Sequence, residues 1–276
     1  MSTFLQCGRF QLALDRPLIM GIVNLTDDSF SGDGLRGQAE NAIAQGLRMV
    51  DDGADLLDLG AESSRPGSEP VSQQQELERL LPVIGGLRDC GVPLSVDTVK
   101  PVIMSAALAA GADMINDIFA LQAPGALEAV SVSNAAVCLM HMQGEPRTMQ
   151  SGPRYADVVA EVAGFLDDRV TACTAAGIKK NRIVIDPGFG FGRTLAHNLA
   201  LLRHLDRLAR SGLPVLAGLS RKSMFGLITG RPVGARLPAS IAAAVLAVQR
   251  GAAIVRVHDT AATRDALSVL RAIEDN

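Results

Sequence analysis

The sequence predicts a (β/α)8 TIM barrel with a short N-terminal β-hairpin, and three observations carry that expectation. Eight short apolar runs recur along the 276 residues, each closing on a polar residue. Helical patterns fill most of the intervals, as a strand, a crossover helix and the next parallel strand require. The runs are continuous Val, Ile and Leu rather than alternating, so both faces of the sheet must be covered.

FLQCGRFQLAL (4–14) places Gly8 between strand-like flanks and predicts a hairpin closing the barrel's amino-terminal end. The first barrel strand is IMGIVN (19–24), followed by a helix over Ala39–Asp52. DLLDLG (55–60) and PLSVDT (93–98) flank a helix over Gln74–Cys90. Pro101 favours the start of the next helix, Lys100–Ala110. DMIND (113–117) and AAVCLMHM (135–142) are strands four and five, and a helix over Ala156–Ala176 follows. RIVIDPG (182–188), a helix over Asn198–Ser211, PVLAGLS (214–220), a helix over Ala239–Gly251, AIVRVHD (253–259) and a helix over Ala262–Ile273 complete the ring. Gly, Pro or Asp separates most of these segments. Barrels of this type fill about 250 residues as one domain. With no Ser/Gly tract, charge block or solenoid repeat, residues 1–276 read as a single domain.

Composition narrows the function classes. Although 48% of residues are hydrophobic, the longest apolar stretches, such as AAVLAV at 243–248, fall well short of the ~20 residues of a membrane span. The opening MSTFLQCGRF has neither the charged nor the apolar region of a secretory signal. A net charge of −3, one Tyr and no Trp leave no broad basic aromatic surface for nucleic acid. Cys7, Cys90, Cys138 and Cys173 are widely spaced without a CxxC pair, which reads as free thiols in a reducing cytoplasm.

In a ring of eight parallel strands the carboxyl ends converge on one face. Asp58, Asp97, Asn116, Asp186, Lys222 and the pair Arg256/His258 all stand at such ends. Singly, Asp97 reads as a helix cap, Asn116 as an Asx turn and Asp186 as a turn initiator before Pro187. Three strands delivering a carboxylate or amide to one rim is more than caps and turns require. Two carboxylates and an amide suit a planar heterocycle with several N–H groups, because a carboxylate accepts a bidentate pair and an amide both donates and accepts.

Arg256 and His258 lie two apart and point to the same side of a strand. With Asn24 across the barrel closure they form an anion site for phosphate or pyrophosphate. The Asn24 amide oxygen also suits Mg2+, which keeps several waters and binds alongside phosphates. No His, Cys and carboxylate cluster has the spacing of a zinc site. Lys222, in SRKS at the end of strand seven, offers a point charge to a ring carbonyl or nitrogen, with Ser220 and Ser223 beside it. DPGFGFGRT (186–194) has glycines at 188, 190 and 192 and no GKS or GKT, so it fits neither the Walker pattern nor the dinucleotide fingerprint. Its glycines instead let backbone approach a flat ligand, with Phe189 or Phe191 as an apolar wall. Met140, inward on strand five, is core unless a ring binds above it. The polar stretches LTDDSFSGDG (25–34) and AESSRPGSEP (61–70) are ordinary βα connections or covers that order over substrate, and their length favours covers.

GIVNLTDDSFSGDG, DLGAESSRPGS, SVDT, IND, LMHMQGEPRTMQ, DPGFGFGRT, GLSRKSMFG and RVHD occur in one order over about residues 20–259. In these motifs and their order the chain resembles the bacterial dihydropteroate synthases, a pterin-binding family. The resemblance implies a Mg2+-assisted transferase joining 6-hydroxymethyl-7,8-dihydropterin pyrophosphate to para-aminobenzoate, with Asp97, Lys222, Arg256 and Asp33 as its catalytic residues. By that likeness Asp97, Asn116, Met140, Asp186, Phe191, Lys222 and Arg256 hold the pterin. Asn24, Arg65, Arg256 and His258 hold the pyrophosphate, with Asn24 on the metal. Phe30, Ser64, Pro66, Lys222 and Ser223 frame the aminobenzoate, where sulfonamides would compete. A cytoplasmic homodimer, formed through helices such as Ala239–Gly251, is implied as well.

The chain departs from the family pattern in places. Asp27 stands where Pro is usual, which makes the first polar stretch less stiff. Ser31-Gly32-Asp33-Gly34 displaces the acidic residue by one position, Ser64 replaces Thr, Arg193 replaces Lys, and Pro238 precedes Ala239-Ser240 where Gly-Ser is common. Two other functions share the pterin pocket. A pterin-dependent corrinoid methyltransferase would not need SSRPG, SRKS and RVHD together, and a non-catalytic pterin-binding paralogue has only the altered first stretch in its favour.

Overall fold

The computed structural model describes residues 4–25, 34–62, 71–144, 148–149 and 152–275. β1 (Phe4–Cys7) and β2 (Phe10–Ala13) pair antiparallel as the expected hairpin. Eight further strands form a closed barrel: β3 (Leu18–Asn24), β4 (Leu56–Gly60), β5 (Leu94–Asp97), β6 (Met114–Asp117), β7 (Ala136–Met140), β8 (Ile183–Asp186), β9 (Val215–Ala217) and β10 (Ala252–Val257). Each pairs parallel with its sequence neighbour, and β10 closes the ring onto β3 with Arg256 opposite Met20.

Ten α-helices lie among the described residues: α1 (Gly34–Asp51), α2 (Gln73–Leu87), α3 (Pro101–Ala110), α4 (Ala126–Ser131), α5 (Val158–Ala175), α6 (Leu195–Arg203), α7 (Leu205–Ala209), α8 (Ser223–Thr229), α9 (Leu237–Gln249) and α10 (Thr260–Glu274). Local chemistry starts several of them. Ser72 accepts from Gln75 N in a capping box on α2, Asp157 caps α5, and Pro101 and Pro238 occupy the first turns of α3 and α9. The helix expected over Asn198–Ser211 is instead two, broken at His204, whose ψ of 26° leaves the helical region. The first of the two begins earlier, at the cap Thr194. α4 and α8 were not expected, because six or seven residues are too few for a helical period to show.

Two cores follow from the alternation of side chains along each strand. One set, including Leu57, Leu59, Val96, Ile115, Val137 and Ile185, points outward against the helices. The other, Met20, Leu56, Met114, Ala136, Cys138, Val184, Leu216 and Ile254, fills the barrel interior together with Leu5 and Cys7 of the hairpin. Arg9 pins the hairpin there: its backbone N and Nε donate to Asp113 Oδ1 at 3.1 and 3.0 Å. The amino-terminal end is thus packed shut, and the next inward layer is left at the carboxyl end. Among the described residues no helix is long and apolar enough to cross a membrane.

Candidate active site

Counting on in twos from the interior core reaches the mouth. Leu56 leads to Asp58, Ser95 to Asp97, Met114 to Asn116, Cys138 to Met140, Val184 to Asp186, and Ile254 to Arg256. Barrel register sets Asp97 opposite Asn116 and Met140 opposite Asp186, while the stagger of the barrel sets Asp58 opposite Ser95 and Asn116 opposite Cys138. One cavity is lined by Asp97, Asn116, Ile118, Met140, Asp186, Gly188, Phe189, Phe191, Gly218, Lys222 and Arg256. Every residue that the resemblance assigned to the pterin is in that lining.

Arg256 organises its charges. Its Nε donates to Asp58 Oδ2 at 2.6 Å and its Nη2 to Asp97 Oδ2 at 3.2 Å, while Asn116 Nδ2 donates to the same Asp58 oxygen at 3.0 Å. Sequence reading placed Asp58 at the rim without a role, although its inward parity was visible in DLLDLG. Here it is fully buried and orients both Arg256 and Asn116. Its other oxygen, Oδ1, is buried without a hydrogen-bond partner among the described residues. Burial, opposed by the Arg256 charge and reinforced by Asp58, pushes Asp97 up to about 7. Burial also raises Asp186, against a bond from Gly188 N and the charge of Lys222. Lys222 is pushed down to about 8 by burial, partly offset by Asp186. Arg256 is held firmly protonated, because Asp58 and Asp97 outweigh its desolvation.

Lys222 does not sit at the end of a strand as expected. β9 ends at Ala217, and Lys222 lies five residues on, as the residue before α8. The chain doubles back through Arg221, a non-glycine residue with φ 57°. Such backbone persists where its surroundings over-determine it. Arg221 N donates to Ser240 Oγ at 2.9 Å, Arg236 Nη1 donates to Arg221 O at 3.1 Å, and the Arg221 guanidinium pairs with Asp259 at 2.6 Å. Lys222 Nζ is thereby brought 4.3 Å from the centroid of the Phe191 ring, where a cation is attracted by the π face.

The glycine-rich turn after β8 forms the opposite wall. Gly188 and Gly192 have φ of 72° and 59°, and a Cβ on either would drive into the carbonyl of His141 or Gln143. Arg193 ties the turn down, donating to the carbonyls of Gly188 and Phe191 and meeting His141 Nδ1 at 2.6 Å. Burial and the adjacent guanidinium push His141 down to about 4, so its neutral ring accepts that bond. Tyr155 adds a bond from its hydroxyl to Gly192 O at 3.1 Å.

The sequence pattern of the pterin binding enzyme family matches residues 20–258. The dihydropteroate synthase of Neisseria meningitidis serogroup C is 51% identical over 276 residues, covering 98% of this chain and 98% of its own length. The chain belongs to the dihydropteroate synthase family. Among solved structures, the dihydropteroate synthase of Xanthomonas albilineans with 4-aminobenzoic acid has a TM-score of 0.94 at 53% identity and covers 99% of both chains. That of Burkholderia cenocepacia, complexed with 7,8-dihydropteroate, has a TM-score of 0.91 at 51% identity, covering 99% of this chain and 97% of that one.

The other residues expected from the family resemblance are placed less closely together. Asn24 ends β3 and His258 follows the last residue of β10, on the adjoining strand, but neither lines the cavity around Asp97. His258 Nδ1 is 3.0 Å from Ser220 Oγ. Ser223 is exposed on the first turn of α8, next to Lys222. Phe30, Asp33, Ser64, Arg65 and Pro66 lie outside the described residues, as do most of the two stretches expected to cover the site. Among the described residues no group of three His, Cys, Asp or Glu could hold a metal ion. The Asn24 amide oxygen at the end of β3 is compatible with Mg2+, which takes most of its ligands from water and phosphate and needs no protein cage.

Proposed function

We propose that this chain condenses 6-hydroxymethyl-7,8-dihydropterin pyrophosphate with para-aminobenzoate, giving 7,8-dihydropteroate and pyrophosphate. The observation that carries the reading is the single cavity in which Asp97, Asn116, Asp186, Lys222 and Arg256 meet over Met140 and beside Phe191. Aminobenzoate and dihydropteroate in the solved relatives support it over a corrinoid methyltransferase and over a non-catalytic paralogue.

Asp97, Asn116 and Asp186 accept from and donate to the edge of the pterin, Lys222 donates to a ring heteroatom, and Arg256 lies across the ring face. Asn24, Arg65, Arg256 and His258 bind the pyrophosphate. Asn24 would hold Mg2+ through its amide oxygen, and the bound ion supplies neutralisation of the diphosphate charge. Phe30, Ser64, Pro66, Lys222 and Ser223 frame the aminobenzoate, and the family resemblance gives Asp33 a catalytic role. The methylene C–O bond breaks with both electrons leaving on pyrophosphate, and the electron-rich ring stabilises the resulting cation. The neutral aromatic amine then forms the C–N bond and releases a proton. No side-chain nucleophile takes part. Arg256, held protonated by Asp58 and Asp97, stabilises the departing anion. Sulfonamides compete with aminobenzoate, and the enzyme works as a cytoplasmic homodimer through the α9 face.

The test is pyrophosphate release from the pterin substrate with Mg2+, with and without aminobenzoate, with the product followed by mass. Release dependent on aminobenzoate, together with dihydropteroate, is expected. Pterin binding without release would replace this reading by a silent binding protein.

A further inference from the structure

A dense polar node lies behind the Asp97 end of the cavity, and the mechanism above does not use it. Lys100 Nζ donates to Glu62 Oε2 at 2.8 Å, Val71 O at 2.6 Å and Glu76 Oε2 at 2.6 Å. An ammonium has three N–H donors, so all are spent on three separate pieces of chain. Glu62 follows β4, Val71 precedes α2, and Glu76 lies in the first turn of α2. Val71 N also donates to Glu62 Oε1 at 3.2 Å, and Arg79 of α2 donates to Ala61 O at 3.2 Å. On its other side, the fully buried Glu76 accepts from Thr98 Oγ1 at 2.7 Å. Thr98 follows Asp97 directly, and its backbone N donates to Asn116 O at 3.1 Å.

Capping does not explain this arrangement, because Ser72 and Gln75 already satisfy the start of α2. Stability explains it poorly, since a buried ion pair recovers little more than its desolvation cost and apolar packing often does as well. What a three-way ammonium does supply is fixed spacing. We infer that Lys100 is a positioning residue that sets Glu62 and Val71 in register with the Asp97–Thr98 turn and thereby serves the use of aminobenzoate. The inference rests on the condensation proposed above. Ser64 and Pro66, assigned above to the aminobenzoate, and Arg65, assigned to the pyrophosphate, fall in the sequence between the two residues that Lys100 clamps, whereas the side chains assigned to the pterin ring hang from other strands.

The experiment uses full-length Lys100→Met, Lys100→Met with Glu76→Gln, and Glu62→Gln, each compared with wild type for Tm, aminobenzoate KM and Kd of 6-hydroxymethyl-7,8-dihydropterin, which lacks the diphosphate assigned to Arg65. Lys100→Met alone strands a buried carboxylate and lowers Tm. Adding Glu76→Gln keeps the Thr98 bond, removes that charge and recovers Tm. The aminobenzoate KM stays raised about tenfold in the double variant, against the ~100-fold that a 1 Å misplacement can cost, while pterin Kd moves less than about twofold. Glu62→Gln raises the same KM by about threefold. A KM that recovers along with Tm, or one that rises in step with pterin Kd, overturns the inference. If the double variant does not fold, an unmoved KM in Glu62→Gln overturns it. Absence of dihydropteroate from the wild type sinks the functional reading, and this inference with it.

Discussion

Arg256 Nε donates to Asp58 Oδ2 over 2.6 Å, joining residues 198 positions apart across the barrel mouth. Asp58 is fully buried, while the Arg256 side chain keeps 21% of its exposure. Asp58→Asn preserves size but leaves Arg256 with Asp97 as its remaining ionic partner in the cavity. The expected loss is about 2 to 3 kcal/mol in urea unfolding, below the ~3 to 5 of a fully enclosed pair because Arg256 stays partly solvated. Pterin binding weakens as well, since Asn116 loses its carboxylate acceptor. An unchanged unfolding midpoint would show that the pair contributes nothing.

Asp97 and Lys222 set a narrow pH window. Asp97, pushed up to about 7, becomes a carboxylate acceptor only above that pH, and Lys222, pushed down to about 8, stays a cation only below it. kcat/KM for the pterin substrate therefore rises through about 7 and falls above about 8. Lys222→Met deletes the alkaline limb and leaves the acid one. A profile flat between about pH 6 and 9 contradicts this assignment.

Acid weakens the wall formed by the glycine-rich turn. Unfolded His141 takes up its proton near 6.5, but the folded side chain does so only at about 4. The unfolded chain binds the extra proton in that interval, so stability present above 6.5 is lost as pH falls toward 4. Relative to His141→Gln, the wild type should lose about 2 to 3 kcal/mol over that range, measured by unfolding at successive pH values. Equal slopes for the two proteins would exclude the mechanism.

Mg2+ dependence isolates Asn24. Chelation lowers turnover with pterin binding kept, and Asn24→Ala raises the Mg2+ concentration needed for half-maximal rate by about tenfold. Titration of the rate with Mg2+ checks this. The same requirement in both proteins would take Asn24 out of the metal site.

The barrel was legible because its signals are local. DLLDLG, RIVIDPG and AIVRVHD each combine a strand-length apolar run with a polar close, and alternation within a strand is enough to put Asp58, Asp186 and Arg256 on its inner side. The hairpin was legible for the same reason, through Gly8 and its flanks. Short helices such as α4 and α8 were not, since one or two turns show no period, and nothing in LLRHLDRL announces the break at His204.

From the residue pattern alone came the fold, the pterin-facing side chains that share the cavity and the family with its chemistry, all of which depend on residue type and spacing along the chain. Closure of the ring settled the rest. It chose Asp58 as the partner of Arg256, carried Lys222 past the end of β9 and over Phe191 through the strained Arg221, and gathered Glu62, Val71 and Glu76 on Lys100. Those pairings depend on register between strands and on the paths of loops, where a shift of one residue turns a side chain to the opposite face, and no local run of sequence encodes them.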